Sequence, residues 1–377
     1  MMTRRHYPAE FVFPGHPDKI SDAIADALVE EAWKRHPRAL VGVEVAVHRD
    51  HVYITGRIGC PEAATIDLIS IVHDVYRSAG YNEAWYPSPD TVKVVSNLCL
   101  GPLEEGEAEF RELADDQAIC VGYANSLEVT NHLPVEQWLV MGITRRLYRL
   151  REEQPQLSLG PDGKVMVVIE EKSNSEGIAE SWRLHSFSCS LQQRAHADEI
   201  GLHRAVRLAL QQTLGKASKM LSGLSDDLPD HLTVNGAGDF EVGGPEGDNG
   251  LSGKKLVMDA YGPRVPIGGG AWSGKDFFKA DRAGGLHARR LAKTIVQLGM
   301  ASEVTVTLGW HPGDRSARVI SIAGREDHGF CLKKAGTLFD LSLLLSGTHY
   351  MPSGLVEVAR WGHFTAKDVP WESIRKI

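Results

Sequence analysis

Residues 39–59 read ALVGVEVAVHRDHVYITGRIG, and this stretch decides the fold class. Apolar residues at 39–47 and 52–58 flank a polar turn, a pattern typical of two β-strands joined as a hairpin. In residues 64–76, apolar side chains recur at spacings of three and four, which predicts an amphipathic helix. The order of elements is therefore strand, strand, helix.

The same order returns twice further along the chain. The predicted strands and helices are, in chain order, 165–169, 184–191 and 198–214, then 304–308, 319–322 and 330–345. The repetition is one of element order alone, without residue identity between units. It predicts an α+β fold of three similar strand-strand-helix domains related by pseudo-threefold repetition, with helices on one face of each sheet. We expect interleaved domains at approximately 1–100, 114–235 and 236–377.

Composition narrows the function class. The 377 residues carry 41 Lys plus Arg against 49 Asp plus Glu, a formal net charge of −8. This balance argues against nucleic-acid and acidic-membrane binders, which use a broad basic surface. No apolar run approaches the length of about 18 residues that a membrane span needs, and the polar N-terminus does not resemble a secretory signal. The five cysteines are widely spaced and form no CxxC, so a cytoplasmic protein without disulfides or a cysteine zinc site is expected.

Residues 236–276 are unusually rich in glycine, and an irregular segment this long inside a compact protein is usually functional. Four lysines lie in or beside it: Lys254, Lys255, Lys275 and Lys279. Glycines let backbone N–H groups approach a polyphosphate and lysines supply the countercharge, so this is a candidate phosphate site. Solvated lysines on flexible turns are the alternative. The GxxxxGK pattern ending at Lys275 is not a P-loop, because Asp276 stands where Ser or Thr is required.

A second candidate site is GHPDK at residues 15–19, at the start of a helix predicted to run to about Lys34. A helix N-terminus presents free N–H groups and the positive end of the dipole, so it favours an anion. His16 could donate to a phosphate or act as an acid. Asp18 could hold a metal ion, or could simply cap the first turn.

Residues 99–115 mix Gly, Pro and Glu without periodicity, which predicts a mobile loop. The acids Asp115 and Asp116 follow it directly. Paired acids in a loop are usually exposed to solvent, so a functional role is the weaker interpretation of this pair.

Together these segments resemble the signatures of the S-adenosylmethionine synthetases (methionine adenosyltransferases). GHPDKISD at 15–22 resembles the opening motif, and GGPEGDNGLSGKK at 243–255 and GGGAWSGKD at 268–276 resemble the glycine-rich motifs. WGHF at 361–364 is similar to the end of the family's sequences. The resemblance covers nearly the whole chain in the right order. It implies three similar α+β domains in a homodimer, with a tetramer as the alternative, and active sites between subunits.

The resemblance also implies a reaction: a methionine sulfur attacks C5′ of ATP and expels the triphosphate, which is then cut to pyrophosphate and phosphate. The implied cofactors are Mg²⁺, on Asp18 and Asp281, and K⁺, on Glu44. The implied catalytic residues are His16, Lys164, Lys254, Lys255, Lys275 and Lys279. The nucleotide site would also include Asp162, Phe240 (stacked on adenine), Asp248 and Ala271. The acceptor-binding positions would be Arg57, Asp116, Asp248 and Lys279.

The departures from the family pattern lie on the acceptor side. The family has a Glu that meets the amino acid where this chain has Arg57, and the loop glutamine that helps to hold methionine has no counterpart near Gly101. A guanidinium there would repel the methionine ammonium. ATP cleavage with an anionic acceptor, or with water, is therefore an alternative reaction. A nucleotide-binding regulatory subunit is another alternative, against which the retained phosphate-site lysines argue.

Overall fold

The computed structural model describes residues 3–326, 338, 340–366 and 368–373. Its strands are β1 (Thr3–Val12), β2 (Leu40–His48), β3 (His51–Gly59), β4 (Lys93–Gly101), β5 (Ala118–Asn125), β6 (Leu159–Ser173), β7 (Ala179–Gln193), β8 (His231–Val234), β9 (Gly250–Leu251), β10 (Ala301–Trp310) and β11 (Arg318–Glu326). Its α-helices are α1 (Pro17–Arg35), α2 (Leu68–Ser78), α3 (Val135–Glu153), α4 (Glu199–Met220), α5 (Leu256–Asp259), α6 (Ala280–Gln297), α7 (Leu343–His349) and α8 (Leu355–Trp361).

The strands form three sheets, with strand orders β4-β3-β2-β9, β1-β6-β7-β8 and β11-β10-β5. Each sheet contains one predicted hairpin, and the hairpins β2–β3, β6–β7 and β10–β11 are all antiparallel. Three hydrophobic cores accompany the three sheets. The predicted α+β fold with threefold repetition of a sheet and its helices is confirmed.

Each sheet also takes a strand from a distant part of the chain. Strand β1 pairs with β6, β5 pairs with β10, and β9 pairs with β2, all antiparallel. These long-range pairs bring the glycine-rich region beside the first hairpin. The domain boundaries given above stay a prediction.

One local prediction differs from the structure, and another lies mostly outside the described residues. The loop predicted over 99–115 is wrong at its start, because β4 runs to Gly101 in parallel register with β3. A short 3₁₀ turn over Glu109–Glu112 follows later in the same segment. The helix predicted near 330–345 lies mostly outside the described residues, and α7 begins only at Leu343.

Helix α1 positions the candidate site. It begins at Pro17, which suits the first helical position because its fixed φ is already helical. The N-cap is His16, whose Nδ1 accepts a hydrogen bond from Asp18 N at 3.2 Å, so Asp18 is not the cap. Most of the helix is buried, because β2 and α8 pack against it. None of the helices in the described part of the chain is long and apolar enough to cross a membrane.

Candidate active site

Two lysine-bearing segments lie next to each other along the edge of β2: residues 250–255, with Lys254 and Lys255, and residues 271–279, with Lys275 and Lys279. The first segment pairs with the end of the strand, where Ala46 and Val47 face Leu251 and Gly250. The second pairs with its beginning, where Val43 N donates to Gly274 O at 2.9 Å. Close backbone approach joins the segments, because a Cβ added at Gly253 (φ +80°) would lie 2.4 Å from the Ala271 Cβ. The four lysines predicted from the sequence therefore belong to one continuous site.

The first segment meets the start of α1. A Cβ on Gly250 would lie 2.2 Å from the Pro17 carbonyl carbon, so only glycine allows this approach. Lys255 Nζ lies 3.0 Å from Asp18 Oδ2, and Lys254 Nζ lies 3.9 Å from Asp18 Oδ1. Lys254 is the more exposed lysine of the two, with 47% of its side chain accessible against 17% for Lys255.

His16 is a neutral imidazole in this arrangement. Burial lowers the pKa of His16 to about 4, although Asp18 opposes the shift. Because Nδ1 accepts from Asp18 N, the proton of the neutral ring belongs on Nε2. His16 can therefore donate one neutral hydrogen bond to an anion at the mouth of α1.

Residues 161–164, which include the implied site residues Asp162 and Lys164, also reach this site. A Cβ on Gly15 would lie 2.4 Å from Pro161 O, which places residues 161–164 beside His16. Asp162 is buried, and its Oδ2 accepts a hydrogen bond from Gly244 N at 2.7 Å. Burial raises the pKa of Asp162 to about 6, opposed by that hydrogen bond. Lys164 is half exposed and pairs with Glu10 at 2.8 Å.

The second lysine pair lies at the start of α6. Lys275 Nζ contacts Asp281 Oδ2, and Lys279 Nζ contacts Asp115 Oδ2. Gly42 faces both lysines, since it forms a β-bridge with Lys275 and its Cβ would lie 4.0 Å from Lys279 Cε. A larger residue in place of Gly42 would approach the Lys279 side chain.

Five of these lysines share one property: each lies within ion-pair distance of a carboxylate. The pairs are Lys164–Glu10, Lys254–Asp18, Lys255–Asp18, Lys275–Asp281 and Lys279–Asp115. A polyphosphate can pair with these lysines in place of the carboxylates. A cation can pair with the carboxylates in place of the lysines. The arrangement can therefore bind a polyanion together with a divalent metal ion.

The Arg57 guanidinium is paired with residues that follow β4. Its guanidinium donates two hydrogen bonds to Glu107, from Nε at 3.2 Å and from Nη2 at 2.9 Å. It also donates to Pro102 O at 2.7 Å, and Nη2 lies 3.7 Å from Glu104. The hydrogen bond from Arg57 lowers the pKa of Glu107, as expected for a carboxylate held in an ion pair. The residues after β4 are thus fastened to β3.

The other predicted positions are less closely tied to the lysines. Phe240 lines a cavity of about 60 Å³ with Asn235 and His203. Asp248 and Asp116 are exposed, and each accepts a hydrogen bond from the next residue's backbone N–H. Glu44 is exposed on the outward face of β2, opposite Thr55.

The predicted magnesium ligands fit one kind of metal site. In the described ranges of the chain, no group of three or more His, Cys, Asp or Glu could hold a metal ion. Mg²⁺, however, is commonly bound by one or two carboxylates together with substrate phosphates. Asp18 and Asp281, each beside a lysine, suit that second arrangement.

Sequence reasoning missed several residues of the site. Asp115, not Asp116, contacts Lys279, and Glu107 binds Arg57. Asp22 and Asp26 of α1 accept hydrogen bonds from Gly253 N and Gly274 N in the two lysine segments. The spacing of Asp18, Asp22 and Asp26 at intervals of four was the available signal, because such residues share one helix face.

Comparison with known proteins agrees with this geometry. Two family descriptions match the chain: "S-adenosylmethionine synthetase, N-terminal domain" over residues 4–99 and "S-adenosylmethionine synthetase, C-terminal domain" over residues 242–373. An S-adenosylmethionine synthase of Clostridium tetani is 30% identical over 397 aligned residues, covering 99% of this chain and 98% of the relative. One from Gloeobacter violaceus is 31% identical, covering 100% and 97%.

A solved structure is similar over nearly its whole length. The structure described as an unusual S-adenosylmethionine synthetase from Campylobacter jejuni superimposes with a TM-score of 0.84 at 27% identity, covering 98% of this chain and 96% of that one. The sequence matches and the structural match therefore both extend over nearly the whole chain. The chain belongs to the S-adenosylmethionine synthetase (methionine adenosyltransferase) family of transferases.

Proposed function

We propose that this protein forms S-adenosylmethionine from ATP and methionine, with release of phosphate and pyrophosphate. The observation that carries the proposal is the convergence of Lys255, Lys275 and Lys279 with carboxylates along the edge of β2. A triphosphate leaving group needs this density of positive charge. In the reaction the methionine sulfur forms a bond to C5′, and the C5′–O bond breaks with its electron pair passing to the triphosphate. Water then cleaves the triphosphate.

In this proposal His16 acts on the leaving oxygen. A neutral ring with the proton on Nε2 donates a hydrogen bond that strengthens as negative charge develops there. Lys254, Lys255 and Lys164 would hold the phosphates from the side of α1, and Lys275 and Lys279 from the side of α6. Phe240 would stack on the adenine, with Asp162, Asp248 and Ala271 lining the nucleotide site.

The family's members are generally metal-dependent, and we propose Mg²⁺ on Asp18 and Asp281 and K⁺ on Glu44. Bound Mg²⁺ would neutralise phosphate charge. When the metal–nucleotide complex binds, the lysines would pair with phosphates instead of with carboxylates. Asp18 and Asp281 are positioned for this exchange, because each already faces a lysine.

We propose that the acceptor binds in a cavity of about 280 Å³ beside Lys279. Its apolar lining includes Leu40, Phe110, Leu113 and Phe278, and its charged lining includes Glu105, Glu107, Asp115 and Lys279. A zwitterion with an apolar side chain matches this lining, since its carboxylate can take Lys279 and its ammonium can take Asp115. Methionine has this chemistry.

Arg57 does not favour an anionic acceptor in this site. Its charge is already met by Glu107 in a two-point ion pair, so the acceptor need not supply a negative group there. The repulsion that a free guanidinium would exert on the methionine ammonium is reduced accordingly. The pair supports methionine over the alternative acceptors.

We also propose a cytoplasmic homodimer, with a tetramer as the alternative, and a site between subunits. The outward face of the first sheet carries Tyr53 and Val95 in register, 45% and 48% exposed, and Ile119 on the third sheet is 65% exposed. Exposed apolar residues of this kind are typical of an interface. Light scattering of the purified protein tests the oligomeric state.

Product analysis tests the reaction. The protein is incubated with ATP, Mg²⁺, K⁺ and methionine, and nucleotide products are identified by mass spectrometry. We expect S-adenosylmethionine with equal amounts of phosphate and pyrophosphate, strongly reduced in Lys255→Met and unchanged in Lys216→Met, a matched change of an exposed lysine on α4. ADP as the main product would contradict the proposal, because it requires attack at phosphorus and not at C5′.

A further inference from the structure

Three aspartates form a stripe along α1. Asp18, Asp22 and Asp26 are spaced by four residues, so their side chains lie one above another on the same helix face. All three are buried, with exposed fractions of 1%, 1% and 0%. A row of buried carboxylates is costly to maintain, so its contacts point to a role.

Each aspartate accepts a hydrogen bond from a backbone N–H of a lysine-bearing segment. Asp18 Oδ1 accepts from Leu251 N at 3.0 Å, and Asp22 Oδ1 accepts from Gly253 N at 2.7 Å. Asp26 Oδ1 accepts from Gly274 N at 3.0 Å. The stripe therefore holds both segments from one rigid helix.

The two segments need such an anchor. Gly253 and Gly274 have φ values of +80° and +85°, and glycine loses more backbone freedom on ordering than other residues. Neither glycine has a side chain that could hold its backbone by packing. Hydrogen bonds to α1 supply what packing does not.

The energetics of the stripe fit a positioning role. Asp26 is matched by Arg282, which donates to its Oδ1 at 2.7 Å and to its Oδ2 at 2.9 Å. Asp22 has no comparable two-point ion pair. Within the described residues its Oδ2 has no hydrogen-bond partner. Lys19 Nζ lies 3.6 Å from this oxygen and contacts Asp259 instead. Burial raises the pKa of Asp22 to about 8. A buried carboxyl with one oxygen unsatisfied is retained at a cost to stability.

We propose that Asp22 and Asp26 are positioning residues, which fix the Lys254–Lys255 pair relative to Lys275 through Gly253 and Gly274. The inference rests on the proposed function in that it takes these lysines as triphosphate ligands. Both aspartates are buried, so their proposed action is through the two backbone segments and not by contact with substrate. Lys19 keeps Asp259 and Ala359 O as partners when Asp22 is changed, so the fold tolerates a test at Asp22.

The test compares Asp22→Ala, which removes the acceptor, with Asp22→Asn, which keeps an oxygen for Gly253 N. Ser21→Ala is the matched control, because Ser21 is buried on the same helix and its Oγ donates to Pro17 O of that helix at 3.0 Å. Three quantities are measured on the full chain: hydrogen exchange of residues 250–256, affinity for Mg²⁺ with a non-hydrolysable ATP analogue, and kcat and KM.

We expect Asp22→Ala to expose residues 250–256 to exchange and to lower kcat by about tenfold to a hundredfold, because small misplacements of charged groups are expensive in catalysis. Asp22→Asn should stay within about threefold of wild type in kcat, and Ser21→Ala should keep both wild-type exchange at 250–256 and wild-type kcat. Normal exchange or normal kcat in Asp22→Ala would overturn the inference, as would equal losses in Asp22→Asn and Asp22→Ala. Hydrogen exchange needs no turnover, so it decides the positioning role even if the wild type forms no S-adenosylmethionine.

Discussion

Reversal of the charge at position 57 tests how the acceptor site is built. Arg57→Glu would place a carboxylate against Glu107 and near Glu104, where the guanidinium now makes its hydrogen bonds. We expect residues 102–113 to detach from β3. Because this segment lines the proposed acceptor cavity, kcat/KM for methionine should fall.

The magnitude follows from the geometry of the pair. Two unit charges about 4 Å apart interact by about 4 kcal/mol at a protein surface. The Arg57 and Glu107 side chains are 19% and 23% exposed, so screening by water reduces their interaction energy to about 1 kcal/mol. Replacement of attraction by repulsion doubles the change to about 2 kcal/mol, or roughly 30-fold in kcat/KM.

The assay is a charge-swap cycle with saturating Mg²⁺ and ATP and variable methionine. Arg57→Glu and Glu107→Arg should each lose roughly 30-fold, and the double variant should recover to within about threefold of wild type. Arg77→Glu is the matched control, because Arg77 is an ion-paired arginine on α2 outside the cavity lining. Higher methionine activity in Arg57→Glu than in wild type would refute the reasoning and restore the interpretation of Arg57 as an acceptor ligand. A double variant as poor as the single variants would refute the ion pair as the cause.

Three further outcomes are expected. Lys275→Met should lower turnover by about 10²-fold, since it removes charge that acts on the proposed leaving group. The free energy of unfolding measured in urea should change by less than about 1 kcal/mol, because the Lys275–Asp281 pair is partly exposed. His16→Ala should also lower turnover about 10²-fold, and since burial already lowers the pKa of His16 to about 4, kcat/KM for ATP in the wild type should show no titration of this ring between pH 6 and 8. Burial lowers the pKa of His287 from 6.5 to about 4, so the unfolded chain binds this proton more readily than the native state does. The free energy of unfolding should therefore fall by about 3 kcal/mol as the pH falls from 6.5 to 4. The dependence of this free energy on pH should be shallower in His287→Asn, and parallel curves for wild type and variant would contradict this.

The sequence predicted those elements of the fold whose apolar residues recur at a regular local spacing. Helix α1 and the β2–β3 hairpin were predicted within one or two residues, because their apolar spacing is regular. Strand β4 was missed because apolar and polar residues do not alternate cleanly in its sequence, although Val94, Leu98 and Leu100 are partly buried against the first core. The pairing of β1 with β6 and of β5 with β10 joins residues far apart in sequence, which local patterns do not encode.

The site divides in the same way. The lysines were predicted because glycine-rich segments with lysines have a recognisable composition, and the resemblance to a family assigned their roles. The choice between Asp115 and Asp116 depends on the path of the backbone into β5, so neighbouring acids could not be told apart. The sign of the charge that Arg57 meets depends on Glu107, fifty residues later in the chain.

With the proposed Mg²⁺ on Asp18, the lysine–carboxylate pairs would make ATP and the metal ion linked ligands. Free ATP would take Lys255 from Asp18 and leave that carboxylate close to phosphate oxygens, and a free divalent cation on Asp18 would leave Lys255 without a counterion. Only their joint arrival gives every charge an opposite neighbour, so each ligand should raise the affinity for the other by the same factor. The enzyme would thereby select the chelate over either component, and an excess of ATP over metal would inhibit it only weakly.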